Sequence, residues 1–225
     1  MFHTSRPGLT ARRSLLVGSI MLAGAAATAL GVNSASAAPP NVCVVSFGVT
    51  QTSTTVTGTG ANDTIDCGSA TSGKTVNGAA GNDTVTGSAF IDTLNGNAGN
   101  DTLTGGIGND ILNGAIGDDT MTGSAGNDRL VGADGNDTLT GSEGDDTLLG
   151  DNHNDTMNGG VGNDSLNGGT GVDLINGDAG NDNLSGPPND GSSDSVDGGA
   201  DTDVCAREGL IFPLLNRDVL TNCNP

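Results

Sequence analysis

The 225-residue chain contains no Trp and no Tyr, and aromatic residues make up 2% of it. Its apolar fraction is 33%, part of which lies in one N-terminal Ala/Leu stretch, so little remains to build a conventional globular core. Basic residues are also scarce, 7 Lys and Arg against 27 Asp and Glu for a formal charge of −20. Such a surface repels phosphates, which excludes nucleic acid as a partner. There is no His-Glu-x-x-His, no Gly-x-Ser-x-Gly and no catalytic domain's worth of non-repetitive sequence, so the chain is not expected to be an enzyme. Soft-metal ligands are missing too, because His153 is the one His beyond the N-terminus. What is abundant is glycine, 39 residues. A Gly-rich acidic chain is disordered, repetitive or held together by cations, and its period decides which.

The first residues carry Arg6, Arg12 and Arg13, then an apolar run from Leu15 to Leu30, then Ala35-Ser36-Ala37. This three-part pattern predicts a secretory signal over residues 1–37, cleaved after Ala37. The run, about 16 residues, is short of the roughly 20 a bilayer span needs. Arg12-Arg13-Ser14-Leu15-Leu16 also resembles a twin-arginine export signal. Removal of the segment would leave the chain more acidic, with no membrane span. A secreted, extracellular protein meets oxidising conditions, so Cys43, Cys67, Cys205 and Cys223 are expected to form disulfides. Three pairings are open. Cys43–Cys67 with Cys205–Cys223 is favoured because a long repetitive stretch separates the two pairs, and the spacings are not those of a zinc site.

From Gly78 to Ser185 the sequence repeats every nine residues, twelve times without a gap. Gly105-Gly-Ile-Gly-Asn-Asp-Ile-Leu-Asn113 is a representative unit. Position 1 is always Gly, and position 4 is Gly in ten units. Position 6 is always Asp: Asp83, Asp92, Asp101, Asp110, Asp119, Asp128, Asp137, Asp146, Asp155, Asp164, Asp173 and Asp182. Position 8 is always Val, Leu, Met or Ile, from Val85 to Leu184. Disordered low-complexity sequence does not hold three positions fixed over such a length. Gly58 to Asp66 reads as one further unit with Asp63 in register; at the other end Gly186 to Asp197 carries three extra residues, and Gly198 to Ala206 returns to register with Asp203. Atypical terminal units are what a solenoid needs to cover its exposed edges.

The pattern is close to Gly-Gly-x-Gly-x-Asp-x-U-x, the calcium-binding nonapeptide, and over residues 58–203 the chain resembles the RTX, or haemolysin-type calcium-binding, repeat family. The resemblance implies an all-β fold, a right-handed parallel β-roll. In it a six-residue turn alternates with a three-residue strand, two nonapeptides complete a coil, and calcium sits between the turns of repeats n and n+2.

The residues support the same chemistry independently. Gly at positions 1 and 4 is expected to supply φ > 0, and Asn or Asp at position 5 tolerates the same turn. A position-6 carboxylate beside backbone carbonyls suits a hard cation, which points to Ca2+, bound by the twelve aspartates above and Asp63. If all turns pair, about ten ions are expected. One buried apolar side chain per nine residues is a thin core, and stacked carboxylates repel one another. The array is therefore expected to be largely unfolded without calcium, with binding and folding as one event.

Phe90-Ile91, His153 and Val172 interrupt the turn pattern, and His153 is expected to face solvent. Thr-x-Thr recurs at Thr84/Thr86, Thr102/Thr104, Thr120/Thr122 and Thr138/Thr140, every eighteen residues. If two repeats make a coil, these form a ladder on one face, an ordinary use of a strand-forming residue or a surface for ice or a repetitive glycan. Residues 38–57, with Val42, Val44, Val45 and Phe47, are expected to form the N-terminal cap. Residues 204–225, with Leu210 to Leu215, are expected to form the C-terminal cap, each fastened by its disulfide. The expected role is structural or adhesive, at a cell surface or matrix, with envelope polysaccharide or another surface component as a partner.

Overall fold

The computed structural model describes residues 27–28, 41–186, 194–206 and 219–223. The expected signal peptide, apart from Ala27–Thr28, and the apolar run Leu210 to Leu215 lie outside them. Every regular element among the described residues is a β-strand. These strands form two sheets, one of eleven and one of ten, in which the chain alternates from sheet to sheet. The interior pairings are parallel and in register at a step of eighteen, as in Leu103↔Met121↔Leu139↔Met157↔Ile175. Two nonapeptides therefore make one coil of a parallel β-solenoid.

Alternation along each strand explains the core. Position 8 points inward on both sheets, and every such residue from Val85 to Leu184 is at most 1% exposed. Positions 7 and 9 point outward, which stacks Thr84, Thr102, Thr120 and Thr138 in one column and Thr86, Thr104, Thr122 and Thr140 in the next. The core is thus one apolar row per sheet.

The interior strands are longer than the three residues implied by the resemblance. Thr102–Ile107 and Ile111–Ile116, for example, each span six residues, positions 7–9 and 1–3. Pairing passes over position 1 and resumes at positions 2 and 3, as in Ser124↔Ser142 and Ala125↔Glu143. A positive φ at position 2 bends the chain there while keeping positions 2 and 3 parallel to those of the next coil. Non-Gly residues hold that conformation with φ from 72° to 92° at Ala79, Asn97, Ala115, Ser124, Ala133, Ser142, Asp151 and Asp178.

The ends close as short antiparallel or displaced strands. Val44–Val45 pairs antiparallel with Ile65–Asp66, and Thr50–Gln51 with Val56–Thr57. Ala27–Thr28 adds antiparallel to Thr50–Gln51. Cys43, Val49 and Val56 are buried at this end, whereas Val44 and Phe47, expected to cover it, are exposed. The disulfides are Cys43–Cys67 and Cys205–Cys223, the local pairing favoured from sequence.

Candidate metal centre

The position-6 aspartates line the two edges of the solenoid as two columns, each side chain turned inward and 1–4% exposed. In each column the backbone N–H of one coil donates to Oδ1 of the Asp in the next. The series Asp83 to Asp101, Asp101 to Asp119 and Asp119 to Asp137 runs at 2.7, 2.7 and 2.8 Å. The other edge repeats it from Asp92 to Asp110 and Asp110 to Asp128, both at 2.7 Å. The columns extend beyond the regular repeat, since Asp173 donates to Asp194 Oδ1 at 2.9 Å and Asp182 to Asp203 Oδ1 at 3.0 Å. Asp194 was hidden in the sequence by the insertion before it, and the return to register at Asp203 was the available signal.

The second oxygen of these carboxylates is different. Oδ2 of Asp83, Asp101, Asp110, Asp119, Asp128, Asp137, Asp146, Asp155, Asp164, Asp182 and Asp203 is buried and has no hydrogen-bond partner. A buried acceptor left unsatisfied costs about 1–3 kcal/mol, and more when charged. Burial drives carboxyls in the middle of the columns upward, to about 6 at Asp110, Asp137 and Asp146, and to about 7 at Asp119, Asp128, Asp155 and Asp164. Burial likewise raises Asp83, Asp101 and Asp182. The inter-coil N–H bond opposes the shift, and neighbouring aspartates in the column add to it at several positions, Asp119 and Asp155 among them.

Oδ2 faces the position-1 glycine of its own repeat. A Cβ on Gly105 would lie 2.6 Å from Asp110 Oδ2 and 2.7 Å from the carbonyl oxygen of Gly123 in the next coil. Gly78, Gly141 and Gly159 border the same pair of oxygens, a carboxylate of their own coil and a main-chain carbonyl of the next. Position 1 is therefore Gly because it shares a cradle with two oxygens. The expectation that it supplies φ > 0 is corrected: positive φ belongs to positions 2 and 4. No group of three or more Asp, Glu, His or Cys side chains converges on one point among the described residues. A cation at the columns would draw on one carboxylate per turn together with main-chain carbonyls. All are hard oxygen donors in a water-poor site, so the residues fit calcium.

Position 5 also has a role that sequence reasoning missed. Its side-chain oxygen accepts from the N–H of position 5 in the next coil, as in Asn100 N–H to Asn82 Oδ1 at 3.1 Å and Asn136 N–H to Asp118 Oδ1 at 2.9 Å. This bond runs opposite in direction to the position-6 series, so each turn is tied to its neighbour both ways. His153 is exposed at position 4, with φ 76°.

No curated protein matches the chain. A family model for the RTX calcium-binding nonapeptide repeat, four copies in length, matches it at residues 77–112, 86–121, 113–148, 122–157, 131–166 and 149–184. With its eighteen-residue coil and its inward aspartate columns, the chain belongs through residues 77–184 to the RTX calcium-binding nonapeptide-repeat family.

Proposed function

We propose that this is a secreted calcium-binding protein whose solenoid folds as ions enter its turns, and that it serves a structural or adhesive role at a cell surface or matrix. The observation that carries the proposal is the row of buried, partnerless Oδ2 atoms, which at Asp83, Asp110, Asp146 and Asp164 share a glycine cradle with a main-chain carbonyl of the next coil. Bound calcium would supply the positive charge these oxygens lack. The chain's own part is to hold the carboxylates inward through the N–H to Oδ1 bonds and to keep Cβ atoms out of the cradle. The leader-like N-terminus and the two disulfides support export. An extracellular setting suits affinities of about 10⁻⁴–10⁻³ M, which make calcium a folding signal after export. Several ions would be held, about ten if all turns contribute.

The in-register Thr columns favour one refinement of this role. Thr84, Thr102, Thr120 and Thr138 are exposed and spaced by the strand repeat, about 4.8 Å, a surface suited to ice or a repetitive glycan. Calorimetric calcium titration, followed by a pull-down on envelope polysaccharide, tests both levels. Multi-site uptake is expected, with retention that Thr102→Tyr abolishes. Absence of heat at millimolar calcium would overturn the calcium role, and retention unchanged by Thr102→Tyr would overturn the Thr face.

A further inference from the structure

We infer that the N-terminal end of the solenoid, residues 41–95, is a metal-independent nucleus in which the Lys74 ammonium and the Thr59 and Ser88 hydroxyls stand where the rest of the array uses an ion. The inference rests on the calcium reading above. One aspartate column begins at Asp63, but the other begins at Lys74, eighteen residues before Asp92. Lys74 takes the backbone place of a position-6 Asp: its N–H donates to Asp92 Oδ1, and its carbonyl accepts from Thr93 N–H at 2.8 Å. The first place in this column is therefore positive.

The Lys74 side chain is 2% exposed. An ammonium has three donors, and three oxygens receive them: Asn41 O at 2.8 Å, Asn41 Oδ1 at 2.7 Å and Ser53 O at 2.5 Å. Asn41 is itself fixed, with Ser72 Oγ donating to its Oδ1 at 2.6 Å and its Nδ2 donating to Ser53 O at 2.9 Å. The ammonium is thus held in an all-oxygen cage at the head of the Asp92 column, where the chain itself brings positive charge to that end.

The two carboxylates nearest this end are satisfied from within the chain. Asp63 Oδ2 accepts from Thr59 N–H at 2.6 Å and Thr59 Oγ at 2.9 Å. Asp92 Oδ2 accepts from Ser88 N–H at 2.5 Å and Ser88 Oγ at 2.8 Å. A hydroxyl at position 2 is not enough by itself. Ser124 and Ser142 occupy the same position with φ of 90° and 92°, and the Oδ2 atoms of Asp128 and Asp146 stay unpartnered. The turns of Thr59 and Ser88 differ in carrying Ala61 and Phe90 at position 4, and none of these four residues takes a positive φ. The irregular turns thus replace a glycine bend by a hydroxyl clamp on the carboxylate. Within residues 41–95, Asp83 is the one position-6 carboxylate whose Oδ2 is left as in the array. Cys43–Cys67 and the paired Gln51 to Cys43 amide bonds, 3.0 and 3.1 Å, close the end.

Hydrogen exchange followed by mass spectrometry on the full chain, disulfides intact, in EGTA and then in calcium, tests this. In EGTA, peptides from 41–95 should exchange at least about tenfold more slowly than those from 105–185, and calcium should then protect the latter. Lys74→Gln should remove the slow exchange in EGTA while leaving 105–185 protected in calcium. Ser88→Ala serves as a second variant and should speed exchange around Asp92 in EGTA alone. Fast exchange of 41–95 in EGTA, with calcium protecting the whole chain, would overturn this inference and leave the calcium reading standing. Uniform protection in EGTA would overturn calcium-dependent folding itself, and the nucleus with it.

Discussion

A methyl group on Gly105 would enter the space between Asp110 Oδ2 and the Gly123 carbonyl, whereas Ser124 already holds a side chain in the left-handed region at φ 90°. These two residues therefore respond to opposite substitutions. Gly105→Ala overfills a packed cradle and should cost about 1–3 kcal/mol. Ser124→Gly relieves a Cβ clash of roughly 1–2 kcal/mol and loses roughly 0.5–1 kcal/mol to backbone entropy, so it should be neutral or slightly stabilising. Thermal unfolding in saturating calcium measures both. A lower Tm for Ser124→Gly than for Gly105→Ala would contradict the roles given to positions 1 and 2. The sequence showed that position 1 tolerates no side chain, but invariance does not say whether space or conformation demands it. Only the fold, which brings the next coil's carbonyl against that Cα, separates the two.

Each edge of the solenoid carries a column of buried carboxylates one strand spacing apart, about 4.8 Å. At an effective dielectric near 20, neighbouring charges at that spacing repel by roughly 3–4 kcal/mol, and burial alone already disfavours ionisation. The pH consequence follows from the direction of the shifts. In the metal-free fold burial raises Asp83, Asp101 and Asp182 above 3.8 and lifts Asp110 to about 6 and Asp119 and Asp155 to about 7. The folded state then holds more protons than the unfolded one, so its stability falls as pH rises. This contribution is fully present below pH 3.8 and is lost as pH climbs through 6 to 7. In EGTA, the chain should gain β structure between pH 8 and pH 4.5 by circular dichroism, and calcium affinity should weaken over the same interval as protons compete. A metal-free chain more structured at pH 8 than at pH 4.5 would contradict this. The columns were legible as an Asp every nine residues, with two repeats to a coil implied by the family resemblance, and the inward row from Val85 to Leu184 as a single apolar position. The turn's inner wiring was not, because an Asn or Asp at position 5 reads equally as a bend former and as the inter-coil acceptor it is.

Across the whole molecule, regular turns that leave a carboxylate oxygen open are joined at one end to irregular turns that do not. The disulfide pairs were legible from their separation along the chain. The Lys74 place was not, because the residues inserted after Asp66 broke the nonapeptide count, although eighteen residues back from Asp92 leads to it directly. At the N-terminal end the buried residues are Cys43, Val49 and Val56, whereas Phe47 is exposed because it lies in the turn between Val44–Val45 and Thr50–Gln51, which an alternating apolar pattern does not reveal. The proposed behaviour is a mature chain that is largely unfolded without metal beyond residues 41–95 and a rigid solenoid with it. Far-ultraviolet circular dichroism of the disulfide-intact chain at pH 7.5, in EGTA and then in millimolar calcium, tests that most directly. The account predicts a small residual β signal in EGTA that rises several-fold on calcium addition. A full β spectrum in EGTA that calcium leaves unchanged would contradict it.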